Sequence, residues 1–435
     1  MIQSLNYDEL LNKIEEFLPV RINEKEKFGE VFTPPILIDE MLDHLPSNIW
    51  NNPDLKWLDP ASGIGNFFMM VYARLMIGLS IKIPNKNKRS HHILKNMLYM
   101  IEINPKNVKI SSTIFGINAN IKCCDFLEDK INTNTNKYPQ TFDIIIGNLP
   151  FNVEASYTNK KNVALWTKFV FKSLTILNEN GYVAFIHPQT WRSPDNKTKL
   201  WDILTNKHIM YLHIYGADAS KQLFNVNTKV DLYVLQNIPN KNMSTLIIDE
   251  LGDKHTIHLN EFSFLPNYKF NEIKKLVDKK NGNEIIYDTF YSTSKTNENK
   301  NSVFKYPVIS SITNGNKLNF RYSDNKNKGH FGVSKVIING GRFPYPYNDY
   351  EGKYGMTQNL FGIPIKTKKQ GDDIVKAVNS EDFNSILKAT KWATYAIDYK
   401  LFKYFNKEFY KHFLKKGKKT YNKNNPRYRL NEFYI

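Results

Sequence analysis

The 435 residues contain two cysteines, Cys123 and Cys124, adjacent in the chain. That excludes a disulfide scaffold and a cysteine-type zinc site, and makes a reduced intracellular protein the default. No apolar run approaches the roughly 18 residues that would argue for a membrane span, so no membrane partner is expected. The opening stretch, MIQSLNYDELLNKIEEFL, is amphipathic and carries acids, unlike a secretory signal. Nucleotide fingerprints are missing too. The loop Gly63-Ile64-Gly65 has Phe68 where a G-x-G-x-x-G motif needs its third glycine, and no Gly-Lys-Ser/Thr follows. His91-His92 lies beside a charged loop and makes no convincing metal cluster, so no metal site is expected.

Negative charge is in short supply. Lys plus Arg number 60 against 42 Asp plus Glu, a formal net charge of +18, and aromatics reach 14%. That combination favours a polyanionic partner, with nucleic acid the first candidate. The length suits about two domains of roughly 100–200 residues each.

Taken in order, residues 4–18 read as a helix with Leu5, Leu10, Leu11, Ile14 and Leu18 at helical spacing. Phe28-Gly-Glu-Val-Phe32-Thr33-Pro34-Pro35 then leads into a predicted helix over Ile36–Leu45. Thr33 fits its N-cap, Pro34 its first turn, and the free N–H groups there suit a carboxylate or phosphate. Lys56–Phe68 gives a strand ending at Asp59, a tight loop through Pro60, Ala61, Gly63 and Gly65, and an apolar helix from about Asn66. An acid at a strand end beside a G-x-G loop suits a nucleoside ligand without a pyrophosphate. A second strand, Leu98–Ile101, ends in Glu102-Ile103, where an acid is the expected partner for ribose hydroxyls. The polar insert Pro84–Arg89 between them reads as a surface loop. Asn120–Cys124 reads as a third strand, and Asp125 at its end is placed to accept from an adenine amino group.

Asp143–Ile146 reads as a buried strand of a parallel sheet, followed by Gly147-Asn148-Leu149-Pro150-Phe151. Asn148 offers an amide oxygen, Leu149 a carbonyl held beside Pro150, and Phe151 an aromatic face. Two acceptors and a stacking plate are what an enzyme needs to hold a flipped-out base with an exocyclic amino group. A helix over 165–177, strands at 182–186 and 210–215, and a hairpin-like segment at 224–236 continue the alternation. Four strand ends carrying Asp59, Glu102, Asp125 and Asn148 would sit at the carboxyl edge of an open α/β sheet, where ligands bind.

From about residue 239 the alternation fades. The Asn/Lys-rich stretch 278–302 reads as linker or mobile loop. Lys335–Ile338 reads as a strand, and Asn339–Tyr347 as either a base-reading or backbone-clasping loop or a rigid turn that buries its aromatics. Ser380–Phe405 reads as helical, with Ile386, Trp392, Tyr395, Ala396 and Phe402 as core. The basic tail from Lys411 to Arg429 reads as phosphate-contacting or solvated, and phosphate contacts position without specifying sequence.

Taken together, these residues resemble the adenine-N6 methyltransferases of DNA. Phe32-Thr33-Pro34 matches that family's phenylalanine-threonine-proline start, Asp59 to Gly65 its D-P-x-x-G-x-G loop, and Asn148-Leu149-Pro150-Phe151 its N-P-P-Y/F tetrad. The resemblance spans about residues 25–238 and implies a Rossmann-like methyltransferase fold. This is a mostly parallel, doubly wound α/β sheet over 1–238, with a C-terminal α+β target-recognition domain over 239–435. It implies S-adenosylmethionine as cofactor. Thr33 and the loop of Asp59, Pro60, Ala61, Gly63 and Gly65 would surround the methionine moiety, Glu102 would bind the ribose and Asp125 with Phe126 the adenine ring, and Phe32, Pro34, Ile103 and Asn148 would complete the cofactor site. Asn148, Leu149, Pro150 and Phe151 would be catalytic, with no metal, covalent nucleophile or strong base. The implied partner is double-stranded DNA, with room for a companion restriction endonuclease; whether the chain is a monomer or a dimer is not readable.

Leu149 departs from the tetrad's first proline. The ribosomal-RNA adenine dimethylases carry N-I/L-P-Y/F there, which keeps RNA adenine (di)methylation as an alternative, although those enzymes lack the F-T-P-P start. A catalytically weak DNA-binding module that keeps the methyltransferase fold is the second alternative.

Overall fold

The computed structural model describes residues 33–128, 138–151, 164–194, 198–278, 280–392 and 397–414. The helix expected over 4–18, Phe28 to Phe32, Asn152, Tyr395, Ala396 and the tail beyond residue 414 lie outside these. The chain divides into two compact units, Met1–Lys275 with Ala389–Ala396, and Leu276–Lys388 with Ile397–Ile435.

The first unit is α/β. Its helices are α1 (Pro35–Asp43), α2 (Asn66–Gly78), α3 (Lys86–His92), α4 (Pro105–Phe115), α5 (Leu165–Thr175), α6 (Leu200–Thr205), α7 (Ala217–Phe224) and α8 (Phe270–Leu276), the last ending at the division between units. Its strands are β1 (Trp57–Asp59), β2 (Leu98–Glu102), β3 (Asn120–Cys123), β4 (Phe142–Asn148), β5 (Leu177–Pro188), β6 (Lys207–Tyr215), β7 (Val230–Pro239), β8 (Thr245–Ile248) and β9 (Lys254–Ile257). They form one nine-stranded sheet in the order β3-β2-β1-β4-β5-β7-β6-β8-β9. β1 to β5 run parallel, β7 lies antiparallel to both β5 and β6, and β8 is parallel to β6.

The apolar runs read from the sequence are buried because both sheet faces are covered. Alternate residues go to opposite faces: Trp57, Met100, Ile144, Ile146 and Ala184 join one core, and Leu58, Tyr99, Ile101, Ile145 and Val183 the other. α1 and α2 fill the first face, with Phe68, Met70 and Val71 fully buried, while α5 covers the second with Trp166, Phe169 and Val170.

Three expectations change. The insert at Pro84–Arg89 is not simply a loop: Asn85 accepts from the Lys88 N–H at 2.9 Å and caps α3. The segment 224–236 is not a hairpin of its own; α7 ends at Phe224 and β7 is an interior strand between β5 and β6. The sheet also runs past residue 238, because β8 and β9 extend it from β6, and the first unit reaches Lys275. Polar stretches such as Lys254–Ile257 hide this in the sequence, since an edge strand needs no continuous apolar run.

A further return of the chain belongs to the first unit. The Asn267 N–H donates to the Ala389 carbonyl at 2.7 Å, and Trp392 Nε1 donates to the Leu265 carbonyl at 2.8 Å. This breaks the helix expected over Ser380–Phe405 into α10 (Glu381–Ala389) and α11 (Tyr399–Tyr404), α9 being Lys368–Val378. Ile386, Trp392 and Phe402 are core, as expected.

The second unit holds two three-stranded sheets, β11-β10-β14 and β13-β12-β15, built from Tyr306–Thr313 (β10), Lys317–Ser323 (β11), Lys335–Asn339 (β12), Tyr347–Asp349 (β13), Gly355–Met356 (β14) and Leu360–Pro364 (β15). Ile309, Ile312, Ile337, Met356 and Leu360 form a core cluster. Residues 278–302, expected as a linker, instead pack in part: Tyr291 is fully buried, and Asn297 exchanges two backbone hydrogen bonds with Tyr322. In the loop after β12 Pro344 and Pro346 are buried, but the aromatics are not: Tyr345 and Tyr347 are half-buried and Phe343 is 49% exposed.

Candidate active site

In the order β3-β2-β1-β4-β5, the direction of winding reverses between β1 and β4. Strands wound both ways from one point leave a crevice at their carboxyl ends. Asp59 and Asn148, the last residues of β1 and β4, flank it. Glu102 ends β2 beside Asp59, and Asp125 follows β3.

The glycine loop is fixed from below. The Ser62 N–H donates to the Ile101 carbonyl at 3.0 Å, and Gly63 N donates to Glu102 Oε2 at 2.8 Å. Asn104 N donates to Glu102 Oε1 at 2.7 Å, so the carboxylate is oriented on both oxygens before any ligand arrives. Gly65 has φ +95°, and a methyl group there would lie 2.4 Å from Phe115 Cε2; only glycine fits. Gly63 also has positive φ, at +54°, but a methyl group there would meet nothing within 4 Å, so its open side is available to a ligand.

Asp59 is 1% exposed. Its Oδ1 accepts from Ala61 N at 3.1 Å, whereas Oδ2 has no hydrogen-bond partner among the described residues. Burial, with Glu102 close by and only partly offset by the Ala61 N–H, pushes its carboxyl up to about 8. A buried acid with an open lone pair is a site for a cationic group. Gly147 packs close beside it, since a methyl group there would stand 3.0 Å from Asp59 Oδ1.

Asn148 Nδ2 donates to Thr33 Oγ1 at 3.0 Å across 115 residues of sequence. Thr33 is therefore not the N-cap: Pro34 occupies that position with Pro35 in the first turn, and the buried hydroxyl serves the asparagine instead. With its nitrogen committed to a hydroxyl, the amide is oriented so that its oxygen takes the acceptor role. The Leu149 N–H donates to the Ile186 carbonyl at 3.1 Å, and its side chain is core, which fixes the backbone around its own carbonyl without a proline.

Two aromatic assignments shift. Phe126 is 2% exposed and packs 5.2 Å from the Phe169 ring, with Lys172 Nζ 4.8 Å from its centroid. Its ring is core and does not face an adenine; the exposed apolar group beside Glu102 is Ile103, 50% exposed. Phe151 is only 7% exposed and packs into the first core, so it does not present an open face. Asp125 Oδ1 accepts from Leu127 N at 2.8 Å in a tight local turn. Pro34, Pro60, Ala61 and Pro150 are backbone elements of these loops, and Phe32 lies outside the described residues.

One support was not read from the sequence. Glu40 on α1 accepts from Tyr211 Oη at 2.6 Å and Tyr215 Oη at 2.9 Å, and pairs with His213 Nδ1 at 2.6 Å. Burial raises the Glu40 carboxyl, but the His213 contact and both hydroxyls together hold it below its ordinary value. This clamp seats α1, just behind Thr33, on β6. Its signal was available, as three polar-tipped rings at i, i+2 and i+4 share one strand face.

The Eco57I restriction-modification methylase family matches residues 81–224, the segment that runs from before β2 to the end of α7 and includes Glu102, Asp125 and Asn148. Over that segment the chain is similar to a restriction-modification methylase. A curated relative, an uncharacterized adenine-specific methylase of Mycoplasma pneumoniae, is 27% identical, the match covering 37% of this chain and 55% of the relative. The chain thus spans about half the length of the curated relative it matches. Among solved structures, the type ISP restriction-modification enzyme LlaBIII bound to DNA has a TM-score of 0.53 at 11% identity, covering 84% of this chain and 38% of that one. The type IIL enzyme MmeI in complex with DNA has a TM-score of 0.50 at 13% identity, covering 86% and 67%. At such identities these two show a shared fold.

Proposed function

We propose that the protein transfers a methyl group from S-adenosylmethionine to the exocyclic N6 of an adenine flipped out of duplex DNA. The observation that carries this is the Thr33–Asn148 hydrogen bond, which joins the F-T-P-P and N-x-P-F segments at the switch point between β1 and β4. The residues present fit the cofactor: Asp59 Oδ2 offers a buried acceptor to a cationic amino group, Gly63 an open backbone, Glu102 a carboxylate, and Ile103 an exposed apolar side. When bound, the cofactor supplies an electrophilic sulfonium methyl group.

The protein's own task is positioning. An exocyclic amino nitrogen is a poor nucleophile because its lone pair is delocalised into the ring. Asn148 Oδ1 and the Leu149 carbonyl, accepting its two N–H bonds, draw it toward tetrahedral geometry and free the lone pair. Flipping costs a few kcal/mol of lost pairing and stacking. Stacking on Phe151 offsets part of that cost, and it requires the ring to be uncovered as the base enters. The family and the Mycoplasma relative favour adenine and DNA over the RNA alternative that Leu149 keeps open.

The test is transfer of label from S-adenosylmethionine to duplex DNA and to structured RNA, with nucleoside analysis. N6-methyladenine in DNA, lost in Asn148→Ala while cofactor still binds, supports the reading. Label in RNA only, or Asn148→Ala at wild-type rate, refutes it.

A further inference from the structure

Positive charge is unevenly divided between the two units. Counted over the sequence, 28 of the 60 Lys/Arg but only 14 of the 42 Asp/Glu fall in the second unit, so it holds 14 of the 18 net positive charges. Within it, three ammonium groups converge on one aromatic ridge. Lys305 Nζ and Lys326 Nζ lie 5.5 and 5.9 Å from the centroid of the same ring, Tyr306, and Lys328 Nζ lies 5.4 Å from the Tyr291 ring. Phe331 bridges these rings edge to face, 6.2 Å from Tyr306 and 5.6 Å from Tyr291.

The acids nearby are not matched to these cations. Asp288 accepts from His330 Nε2 at 2.8 Å, and the Asp324 carboxylate accepts from the Ser323 hydroxyl at 3.3 Å. None of the three lysines forms an ion pair among the described residues. Two like charges thus flank one ring with no acid paired to either. Ring faces attract cations, so the tyrosines hold the ammoniums in place and spare a ligand some of the ordering cost. Phe290 and Val303 on flanking segments are 52% and 59% exposed. A repeating anion laid along the ridge would pair with these cations.

We infer that the Lys305–Lys326–Lys328 ridge is a phosphate-backbone contact for duplex DNA, positioning the duplex without reading its sequence. This rests on the proposed DNA substrate. The test uses the full chain and a duplex of arbitrary sequence, with dissociation constants measured from low to physiological salt. Each lysine–phosphate contact contributes about 0.9 to the slope of log affinity against log salt. The triple variant Lys305→Gln/Lys326→Gln/Lys328→Gln should therefore flatten the slope by about 2 to 3, and the triple arginine variant should restore it. Wild-type thermal melts, with cofactor binding, check that both variants are folded.

An unchanged slope in the glutamine variant, with the wild type binding and methylating DNA normally, overturns the ridge and leaves the proposed function standing. A wild type that binds structured RNA through these lysines but no duplex overturns both. If the arginine variant behaves like the glutamine one, charge is not the cause and the inference fails.

Discussion

Replacing Asp59 with Asn should make the ligand-free protein more stable at neutral pH, and by an amount that grows with pH. In the folded chain burial holds the carboxyl at about 8, against an ordinary 3.8. Between those values the folded state carries a proton that the unfolded chain has lost. Raising the pH therefore favours unfolding, by about 1.4 kcal/mol per pH unit. The asparagine variant keeps the oxygen that accepts from the Ala61 N–H and has no charge to desolvate, so its stability lacks this slope. The gap between variant and wild type should widen from under about 2 kcal/mol at pH 5 to about 4 kcal/mol at pH 7, a ceiling that water entering the site would lower. Urea unfolding of both proteins from pH 5 to 9 measures it directly. A cationic ligand reverses the sense: S-adenosylmethionine should bind the wild type more tightly as pH rises toward 8, and the variant weakly at every pH. Parallel stability curves for the two proteins would refute the placement of an unsatisfied, protonated acid at the end of β1.

Glu40→Gln should cost about 2 kcal/mol, since hydrogen bonds to a charged acceptor are lost, and thermal melts report it. Because the folded Glu40 carboxyl is held down, its contribution is present above its unfolded value near 4.5 and fades as acid protonates it, so wild type and variant should converge at low pH. Arg192 is fully buried and donates to Asp231 Oδ1 and Oδ2, the Leu265 and Pro266 carbonyls, Gln189 and Asn267. Arg192→Met strands Asp231 and should cost about 3–5 kcal/mol in denaturant. Gly65→Ala should lose about 2–4 kcal/mol from strain and the Phe115 clash. Gly63→Ala should lose only about 1 kcal/mol while weakening cofactor binding in calorimetry, and equal stability losses at both glycines would contradict the open face at Gly63.

Much of the site was legible because strand ends announce themselves. A β-branched run such as Ile144-Ile145-Ile146 must be buried, and the polar residue that stops it must then lie at a sheet edge. Asp59, Glu102, Asp125 and Asn148 were located this way. The family resemblance, carried by the order of those motifs, supplied the proposed cofactor and reaction. Phe126 and Phe151 were less legible: the sequence shows that a residue is aromatic, not which way its ring turns, and both rings are buried. Phe126 packs against Phe169, and the exposed apolar side chain next to Glu102 is Ile103.

Local chemistry in the sequence thus determined the α/β alternation of the first unit, the glycine loop and the polar strand ends, because each depends on a few consecutive residues. Tertiary structure decided what joins residues far apart. It gave the Thr33 hydroxyl to Asn148 rather than to a helix cap, seated α1 through Glu40, and extended the sheet through β8 and β9. It also returned Ala389 and Trp392 to the first unit and gathered Lys305, Lys326 and Lys328 on one ridge. Those outcomes depend on which surfaces meet when the sheet closes, a property of packing that no local window of sequence contains.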